Sequence, residues 1–551
     1  MRILLNVSFA VLCVSVTMAD ASDGLRAIGR QRVHPVLIGN EHNPLVTVAI
    51  EVDEPGVRVR SLTFSLDGTD DLSDIQYLEL FFSDRHPPHG LDALRNGKNY
   101  HGDRRAVLAE LTVPFGSPST TSARVTFRGD RLLAPGTNYF WLSCRLQEAA
   151  ELSHKVDASC THIDTSIGQV EPSDASPGVR KRIGFALRQR YDDGVHTSRI
   201  PALTITPQGT LLCVYDLRRT KRRDLQEDID IGLSRSTNGG KTWEPVRVIM
   251  DMKEYGGLPQ NRNGCSDPGI VVDHTTGDVF CAAVWMWGKL GHHQWSAEGS
   301  DRGYEIGKSA QILMVHSHDD GKTWSSPDNL TRQLKQPDWI LLVPSPQAGI
   351  TLRDGTLVLP VEGIAAGDPT NPDKAKLSFA SVIVSDDHGA KWKMGSTLAR
   401  GCSECQAVEL TDGSLLLNAR SMRDTKFRSV FHSPDLGQTW QPHSSHGKVL
   451  IESGCNGSLT RVNTLRDGKS VSILLFTNCH VQTERSHQTI QVSFDEGTTW
   501  PEKYHLLLDE GLGNGYPSLT QIDNDYIGIV YEGSQAHLTF EKIAIGELLK
   551  R

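Results

Sequence analysis

The chain has 551 residues, of which 38% are hydrophobic, and a formal net charge of -9. This length allows two or three domains with buried cores, and the slightly acidic balance argues against a nucleic-acid partner. Ten cysteines are present, one of them Cys13. The odd number that follows Cys13 argues against a fully paired disulfide framework.

Residues 1–21 have the composition of a secretory signal peptide. One early arginine precedes an apolar run from Ile3 to Val16, and small residues surround Ala19 and Ala21, where we expect cleavage. The alternative is a buried or anchoring N-terminal helix. No later apolar run approaches the roughly 18 residues of a membrane span. The sequence therefore predicts a secreted or periplasmic protein without an integral membrane segment after cleavage.

Residues 22–178 predict a β-sandwich domain and a linker. Short β-rich runs such as VTVAIEV, VRVRSLTFSL and NYFWLSCRL are separated by Asp-Gly, Pro-Gly and Asn turns. The stretch 171–178, rich in Ser and Pro, has the composition of a linker. A carbohydrate-binding module and a structural spacer both fit this pattern.

From residue 179 onward a turn motif recurs. Each copy begins with Ser, has Asp or Asn at its third position and Gly at its fifth, and ends in a tryptophan: Trp243, Trp324, Trp392, Trp440 and Trp500. Asp or Asn accepts local backbone hydrogen bonds, Gly supplies a positive φ, and Trp packs against its own strands. The uneven spacing favours propeller blades with insertions over a tight solenoid. The turns are therefore expected to be structural, and helical periodicity is limited to residues 541–550.

Three arginines lie on strand-like stretches in different repeat units. They are Arg199 in Ser-Arg-Ile-Pro, Arg420 in Asn-Ala-Arg-Ser and Arg485 in Thr-Glu-Arg-Ser. Each one alone is more typical of a surface or salt-bridged arginine. The three together, with the repeated turns, carry a resemblance to a known family.

The sequence resembles the bacterial exo-sialidases (neuraminidases). The resemblance covers essentially the whole chain and is specific around residues 199–243, 404–420 and 485–516. It implies an all-β fold in which a six-bladed β-propeller, residues 179–551, follows the N-terminal β-sandwich and carries the active site at its centre. It also implies that the three arginines clamp the carboxylate of a terminal sialic acid. Planar guanidinium groups suit this task because they form paired hydrogen bonds that lysine cannot reproduce.

The resemblance also implies the catalytic residues. The acid/base aspartate corresponds to Asp224, with Asp228 and Asp230 as alternatives. The nucleophile corresponds to Tyr516, paired with Glu404 as its base. A neutral phenol avoids the repulsion that a carboxylate would meet at an anomeric carbon that itself bears a carboxylate. Its pKa near 10 makes it a poor nucleophile, so a base must remove its proton during attack.

Two further residues match positions that bind substrate in the family. The resemblance directs Arg218 at the substituents of the sugar ring and Asp267 at the pocket for the acyl group. The residues most easily confused with Glu404 and Tyr516 are Glu409, Glu484 and the pair Tyr531-Glu532.

These residues together predict a retaining exo-α-sialidase that releases terminal sialic acids through a tyrosyl intermediate. The expected partners are sialylated glycoproteins, glycolipids or oligosaccharides, and neither a cofactor nor a metal ion is expected. A trans-sialidase would keep the same residues, because the choice of acceptor depends on loop contacts. A non-catalytic sialoglycan-binding propeller would be expected to lack one of the catalytic or clamp residues.

Overall fold

The computed structural model describes residues 24–84, 113–117, 119, 122–225, 227–286, 300–365, 378–396, 399–423, 425–466 and 468–550. The expected signal peptide lies outside these described residues. Within them the chain is all-β, as expected. Its α-helices are Thr331–Leu334 and Ile545–Leu549, and its 3-10 helices are Leu72–Asp74, Asp192–Gly194, Tyr255–Gly257, Gln260–Arg262 and Glu502–Tyr504. No helix in the described ranges is long and apolar enough to span a bilayer.

The N-terminal part is a sandwich of two sheets around one core. The first sheet has six strands and the second has four. Apolar side chains at alternate positions, including Val48, Ile50, Phe64 and Phe127, are buried between them. In order across the first sheet, the strands are β12 (Ser173–Asp174), β1 (Leu25–Arg30), β3 (Asn43–Val52), β8 (Gly136–Leu146), β5 (Ile75–Ser83) and β6 (Val113–Pro114). Across the second they are β11 (Gly168–Val170), β10 (Ser159–Thr165), β4 (Arg58–Ser65) and β7 (Arg124–Leu132).

Three short strands show how the sandwich joins the rest of the chain. β12 lies in the stretch expected to be a linker, yet it pairs in parallel with β1. β2 (Val36–Ile38) and β9 (Lys155–Val156) both pair with β13 (Lys181–Arg188), which lies beyond that stretch. All residues of β2 are buried, so this pairing removes an apolar edge from water. The sandwich segment thus contributes strands to a sheet of the following part.

Six further sheets follow in the described residues. In five of them all strands pair antiparallel. The sixth combines strands from both ends of the chain: β2, β13, β38 (Leu538–Ala544), β37 (Tyr526–Tyr531) and β36 (Pro517–Gln521), in that order. The first sheet has β14 (Thr197–Ile205), β15 (Leu211–Arg218), β16 (Ile229–Ser236) and β17 (Arg247–Met250), and the second has β18 (Cys265–Val272), β19 (Val279–Trp285), β20 (Gln311–Ser317) and β21 (Asp328–Asn329). The third has β22 (Leu341–Pro344), β23 (Ile350–Thr351), β24 (Leu357–Ile364), β25 (Ser378–Ser385), β26 (Lys393–Met394) and β27 (Ala399–Arg400). The fourth has β28 (Cys402–Glu409), β29 (Leu415–Ser421), β30 (Ser429–Ser433) and β31 (Gln441–Pro442), and the fifth has β32 (Ser458–Arg466), β33 (Lys469–Cys479), β34 (Gln488–Ser493) and β35 (Leu506–Asp509).

Strands of successive sheets contact one another in a closed cycle. β14 contacts β18, β18 contacts β22 and β24, β24 contacts β28, β28 contacts β32, β32 contacts β36, and β36 contacts β14. In the third sheet the contact to β28 is thus made by β24, the second strand of that sheet. The sixth sheet is completed when β38 pairs antiparallel with β13. Residues far apart in sequence are therefore brought together where these strands meet.

The repeated turns occupy the same place in each of the first five sheets. Every copy starts at the last residue of the third strand, and its Gly N–H donates to the hydroxyl of that serine, as Gly240 does to Ser236 at 3.0 Å. The Asp or Asn side chain accepts the backbone N–H four residues further on, as Asp435 does from Thr439 at 2.8 Å. These contacts confirm a structural use of the motif.

Candidate active site

Three first strands are irregular in their opening residues. The pairing register shifts in β14 between Arg199 and Ala202, in β18 between Ser266 and Gly269, and in β28 between Cys402 and Cys405. Ile200 and Asp267 adopt positive φ angles of 61° and 55° at these points. Such bulges re-aim side chains that a regular strand would direct elsewhere. Arg199, Asp267 and Glu404 lie on these irregular stretches.

Arg199 is held by a glutamate that follows β37. Its Nε and Nη2 donate to the two carboxylate oxygens of Glu532, both at 3.0 Å, and the backbone N–H of Ile200 donates to the same carboxylate at 2.7 Å. Burial opposes the charge of Arg199, but Glu532 and Asp224 outweigh it and raise the pKa of Arg199. The backbone N–H of Glu532 donates to the carbonyl of Tyr516 at 3.1 Å. Glu532 thus fixes Arg199 relative to Tyr516.

Tyr516 lies directly before β36, and its phenol donates a short hydrogen bond to Oε1 of Glu404. Both residues are buried, each with 6% of its surface exposed. Nη1 of Arg420 donates to Oε2 of Glu404 at 2.9 Å and to the hydroxyl of Tyr516 at 3.4 Å. Burial first, and then the charge of Glu404, raise the pKa of Tyr516 well above its usual value although Arg420 and Arg485 oppose this. The phenol is therefore neutral and has a carboxylate in place to take its proton.

Arg485 reaches the same tyrosine from the loop between β33 and β34. Its Nη2 donates to the carbonyl of Gly454 at 2.6 Å and its Nη1 to the carbonyl of Asn514 at 3.1 Å. Its guanidinium carbon lies 5.6 Å from the centre of the Tyr516 ring, and that of Arg199 lies 5.3 Å from it. Arg199, Arg420 and Arg485 therefore all contact Tyr516 and place three guanidinium groups around it.

Asp224 lies in the loop after β15 and faces two arginines. Its Oδ1 lies 2.6 Å from Nη1 of Arg218 and 3.7 Å from Nη1 of Arg199. The Arg218 side chain is 1% exposed and also donates to Oδ2 of Asp216 at 2.8 and 3.1 Å. Buried between the two carboxylates, Arg218 fixes the position of Asp224.

Asp228 and Asp230, the two alternatives to Asp224, contact different residues. Asp230 accepts two hydrogen bonds from Arg219 at 2.6 and 2.9 Å, and burial raises its pKa to about 6. Asp228 accepts a hydrogen bond from Gln260 at 3.2 Å. The contacts to Arg199 and Arg218 therefore distinguish Asp224 from its neighbours.

Asp267 belongs to a buried carboxyl cluster with Asp216 and Glu362. The backbone N–H of Asp267 donates to Oδ1 of Asp216 at 3.0 Å. Burial, the charge of Asp216 and that of Asp224 raise the pKa of Asp267 well above its usual value. Burial and then Glu404 do the same for Glu362, which accepts a backbone hydrogen bond from Glu404. Protons on these carboxyls relieve the repulsion that a fully ionised cluster would create.

Sequence reasoning missed Asp216 and Glu362, and it considered Glu532 only as a residue that could be confused with Glu404. Asp216 and Glu362 each interrupt a buried apolar strand, in LLCVYDLR and LVLPVEGI. A charge inside such a run is costly unless it is paired, so it is a signal that sequence reasoning can use.

Glu409, Glu484 and Tyr531 lie apart from the Tyr516–Glu404 pair in their contacts. Glu409 accepts a hydrogen bond from Arg353 at 2.8 Å, and Glu484 accepts one from Ser486 at 2.7 Å. The hydroxyl of Tyr531 donates to Glu541 at 2.7 Å. Tyr516 is therefore the tyrosine that the three arginines contact, and Glu404 is the glutamate bonded to its phenol.

The assembled site combines three chemical elements. It offers a cationic cradle, a neutral phenol beside a carboxylate, and a second carboxylate at Asp224. This set can bind an anionic sugar, attack it and protonate a leaving group.

The chain has extensive similarity to known proteins. Residues 209–530 match the family described as the BNR repeat-like domain, and residues 27–168 match the N-terminal domain of BNR-repeat neuraminidase. A sialidase of Bacteroides fragilis (strain YCH46) is 36% identical over 98% of both chains. A sialidase of Micromonospora viridifaciens is 33% identical over 62% of this chain and 50% of its own. The solved structure of the Hadza microbial sialidase Hz136 has a TM-score of 0.84 and 33% identity, and the match covers 94% of this chain and 99% of that one.

Proposed function

Because the chain belongs to the sialidases with BNR repeats, a family of glycoside hydrolases, we propose that it is a retaining exo-α-sialidase that acts through a covalent bond to Tyr516. Its substrates are terminal sialic acids on glycoproteins, glycolipids or oligosaccharides. The observation that carries the proposal is the hydrogen bond from the Tyr516 phenol to Glu404, at the point where Arg199, Arg420 and Arg485 meet.

In the first step the arginines hold the sugar carboxylate, and the phenol oxygen attacks the anomeric carbon. The phenol proton passes to Glu404, so no free phenolate has to form beside the substrate's charge. Asp224 gives its proton to the glycosidic oxygen, and the aglycone leaves. In the second step Asp224 takes a proton from water, the water attacks the anomeric carbon, and the bond to Tyr516 breaks while Glu404 returns the proton.

The proposal also includes the domain organisation of the chain and its export. The six sheets that contact one another in a cycle are the blades of a six-bladed β-propeller over residues 179–551, and residues 22–178 form the N-terminal domain and linker. Residues 1–21 are removed on export, so the mature protein is secreted or periplasmic. N-terminal sequencing of the exported protein tests the cleavage.

The activity is tested by the release of 4-methylumbelliferone from its α-sialoside. The full chain should release it, and Tyr516→Phe should lower kcat at least about 1,000-fold, because the nucleophilic oxygen is lost. Sialic acid binding should persist, since the arginines remain. Tyr526→Phe is the matched control, because Tyr526 packs against Lys542 instead, and it should keep full activity. Unchanged hydrolysis by Tyr516→Phe would refute the nucleophile assignment.

A further inference from the structure

Two buried cysteines lie against the segment that carries Tyr516. Cys455 lies three residues before the start of β32, and Cys479 ends β33, the strand that pairs with β32. Both are free and buried, and each thiol shifts the pKa of the other. A Cβ atom placed on Gly515 would lie 2.5 Å from Sγ of Cys479 and 3.2 Å from Sγ of Cys455. The two sulfur atoms therefore lie side by side in the space that a side chain at position 515 would occupy.

The sulfur atoms also contact the groups that shape the active site. Sγ of Cys455 donates to the carbonyl of Asn514 at 3.5 Å, and Sγ of Cys479 to the carbonyl of Gly515 at 3.8 Å. The Asn514 carbonyl and that of Gly454, the residue before Cys455, are the two acceptors that hold Arg485. Cys455 packs in one buried cluster with Ile200 and Tyr516. Movement of the Cys455 sulfur would therefore act on the Asn514 carbonyl that holds Arg485, and movement of the Cys479 sulfur would act on the backbone before Tyr516.

We propose that Cys455 and Cys479 form a redox modification site, at which a two-electron oxidant of the peroxide class joins them in a disulfide and thereby weakens substrate binding. The effect on substrate rests on the function proposed above, whereas formation of the disulfide does not. A disulfide brings its sulfur atoms to about 2.0 Å, much closer than a pair of free thiols. The contraction pulls on the carbonyls of Gly454 and Asn514, and so on the cradle of Arg485.

The surroundings of the two thiols indicate which of them reacts first with the peroxide. Burial opposes ionisation of Cys455, but the neighbouring Cys479 thiol and the charge of Arg485 outweigh it and lower the pKa of Cys455. Its thiolate attacks hydrogen peroxide to give a sulfenic acid and hydroxide, which takes up the proton released by the thiol to give water. The sulfur of Cys479 then attacks the sulfenic acid, the S–S bond forms, and the hydroxyl leaves with the Cys479 proton as a second water. Two thiols are oxidised, and one peroxide is reduced to two waters.

A second pair of cysteines supplies the contrast. Cys402 and Cys405 flank Glu404 on β28 and are also buried. Burial and the neighbouring Cys402 raise the pKa of Cys405 well above its usual value, and burial raises that of Cys402 to about 12. Both thiols therefore stay protonated and unreactive. The pairing at Cys455 should be selective.

The test compares the reduced full-length protein before and after treatment with hydrogen peroxide. Peptide mass analysis should find Cys455 linked to Cys479 with the loss of two hydrogen atoms. The kcat/KM for an α-sialoside should fall about tenfold through a rise in KM, since small displacements of positioning groups have large effects. Dithiothreitol should reverse both changes. Cys455→Ala and Cys479→Ala should prevent the cross-link and the loss, and Cys402→Ala should leave both unchanged.

Absence of the 455–479 cross-link, or a cross-link that leaves KM unchanged in an active enzyme, would overturn the proposal. If the reduced parent has no sialidase activity, the proposed function fails but this test continues. Hydrogen exchange of the backbone over residues 511–516 should then still differ between the reduced and cross-linked protein. Equal exchange in the two forms would overturn the coupling between the thiols and the Tyr516 segment.

Discussion

Asp224 differs from the other catalytic candidates in how its side chain is held. Tyr516 and Glu404 are buried and bonded to each other, whereas Asp224 lies on a loop with 29% of its side chain exposed. Arg218 fixes it in place and is itself paired with Asp216. This partly exposed position suits the role that the proposed mechanism gives Asp224, protonation of an aglycone that extends toward solvent.

The leaving group should therefore reveal the role of Asp224. Asp224→Ala should lower kcat/KM about 100-fold or more for natural sialosides, whose alkoxide leaving groups need protonation. It should lower kcat/KM far less for the 4-methylumbelliferyl sialoside, because that leaving group is already stable as an anion. Parallel kinetics on the two substrates measure this. Equal losses on both would transfer the acid role to Asp228 or Asp230, for which the matching alanine variants serve as controls.

Sequence reasoning named the candidate catalytic residues and Arg218, but not the carboxylates that hold the arginines. Arg199, Arg420, Arg485, Glu404 and Tyr516 each lie in a motif that the family resemblance identifies, and the structure brings them together. Their roles remain predictions. The supporting carboxylates at Asp216, Glu362 and Glu532 act through partners up to several hundred residues away, as in the contact between Glu532 and Arg199. Such contacts depend on the order of the sheets, which no local pattern contains.

Among the structural elements, the repeated turn shows in its hydrogen bonds why Asp or Asn occupies its third position. Asp319 accepts the backbone N–H of Thr323 at 2.8 Å and its hydroxyl at 2.6 Å. Asn238 in the first copy accepts the N–H of Thr242 at 3.0 Å, while its amide donates to that hydroxyl at 2.8 Å. An amide therefore replaces the carboxylate with little loss of contacts.

Replacement of Asp319 should affect stability in a way that depends on pH. Asp319→Ala should lower the free energy of unfolding by about 1 kcal/mol at pH 7, whereas Asp319→Asn should be nearly neutral. Hydrogen bonds from Thr323 lower the pKa of Asp319 to about 2. Its contribution is thus complete above the unfolded pKa near 4 and is lost as the pH falls toward 2. Denaturant unfolding of the three proteins from pH 7 to pH 3 measures this; a constant difference would contradict the assignment.

The C-terminal end of the chain shows where element prediction was wrong. Helical periodicity was expected over residues 541–550, but β38 continues to Ala544 and the helix covers only Ile545–Leu549. The cause is tertiary, because Glu541 and Ile543 pair with Ile529 and Ile527 of β37. Local periodicity cannot register the strand partner that decides this segment.

For the whole molecule, closure of the sixth sheet explains why only five turn motifs accompany six sheets. In the first five sheets the third strand continues through the turn into the fourth. In the sixth, β38 is the third strand and β13 is its neighbour, and they come from opposite ends of the chain. No turn joins them, so no copy of the motif is needed. This closure also brings Tyr516 and Glu532 of the sixth sheet to Arg199 of the first.

Replacement of Phe540 tests how much the pairing of β38 with β13 contributes to stability. Phe540 lies on β38 opposite Phe185 of β13, is fully buried, and packs 5.2 Å from Trp243 of the first repeated turn. Phe540→Ala should lower the free energy of unfolding by about 3–5 kcal/mol and lower the temperature at which sialoside hydrolysis is lost. Leu465→Ala is the control, since Leu465 is 65% exposed and its truncation should change neither. Equal stability of the two variants would mean that the closing strands contribute little.

The most direct test of the account is to trap the covalent intermediate. A 2,3-difluorosialic acid probe slows release of the enzyme-bound sugar, so intact-protein mass analysis should find one sialyl adduct per chain. Peptide analysis should place that adduct on Tyr516, and Tyr516→Phe should not form it. An adduct on Glu404 or Asp224, or no adduct on a chain that hydrolyses sialosides, would contradict the tyrosyl mechanism.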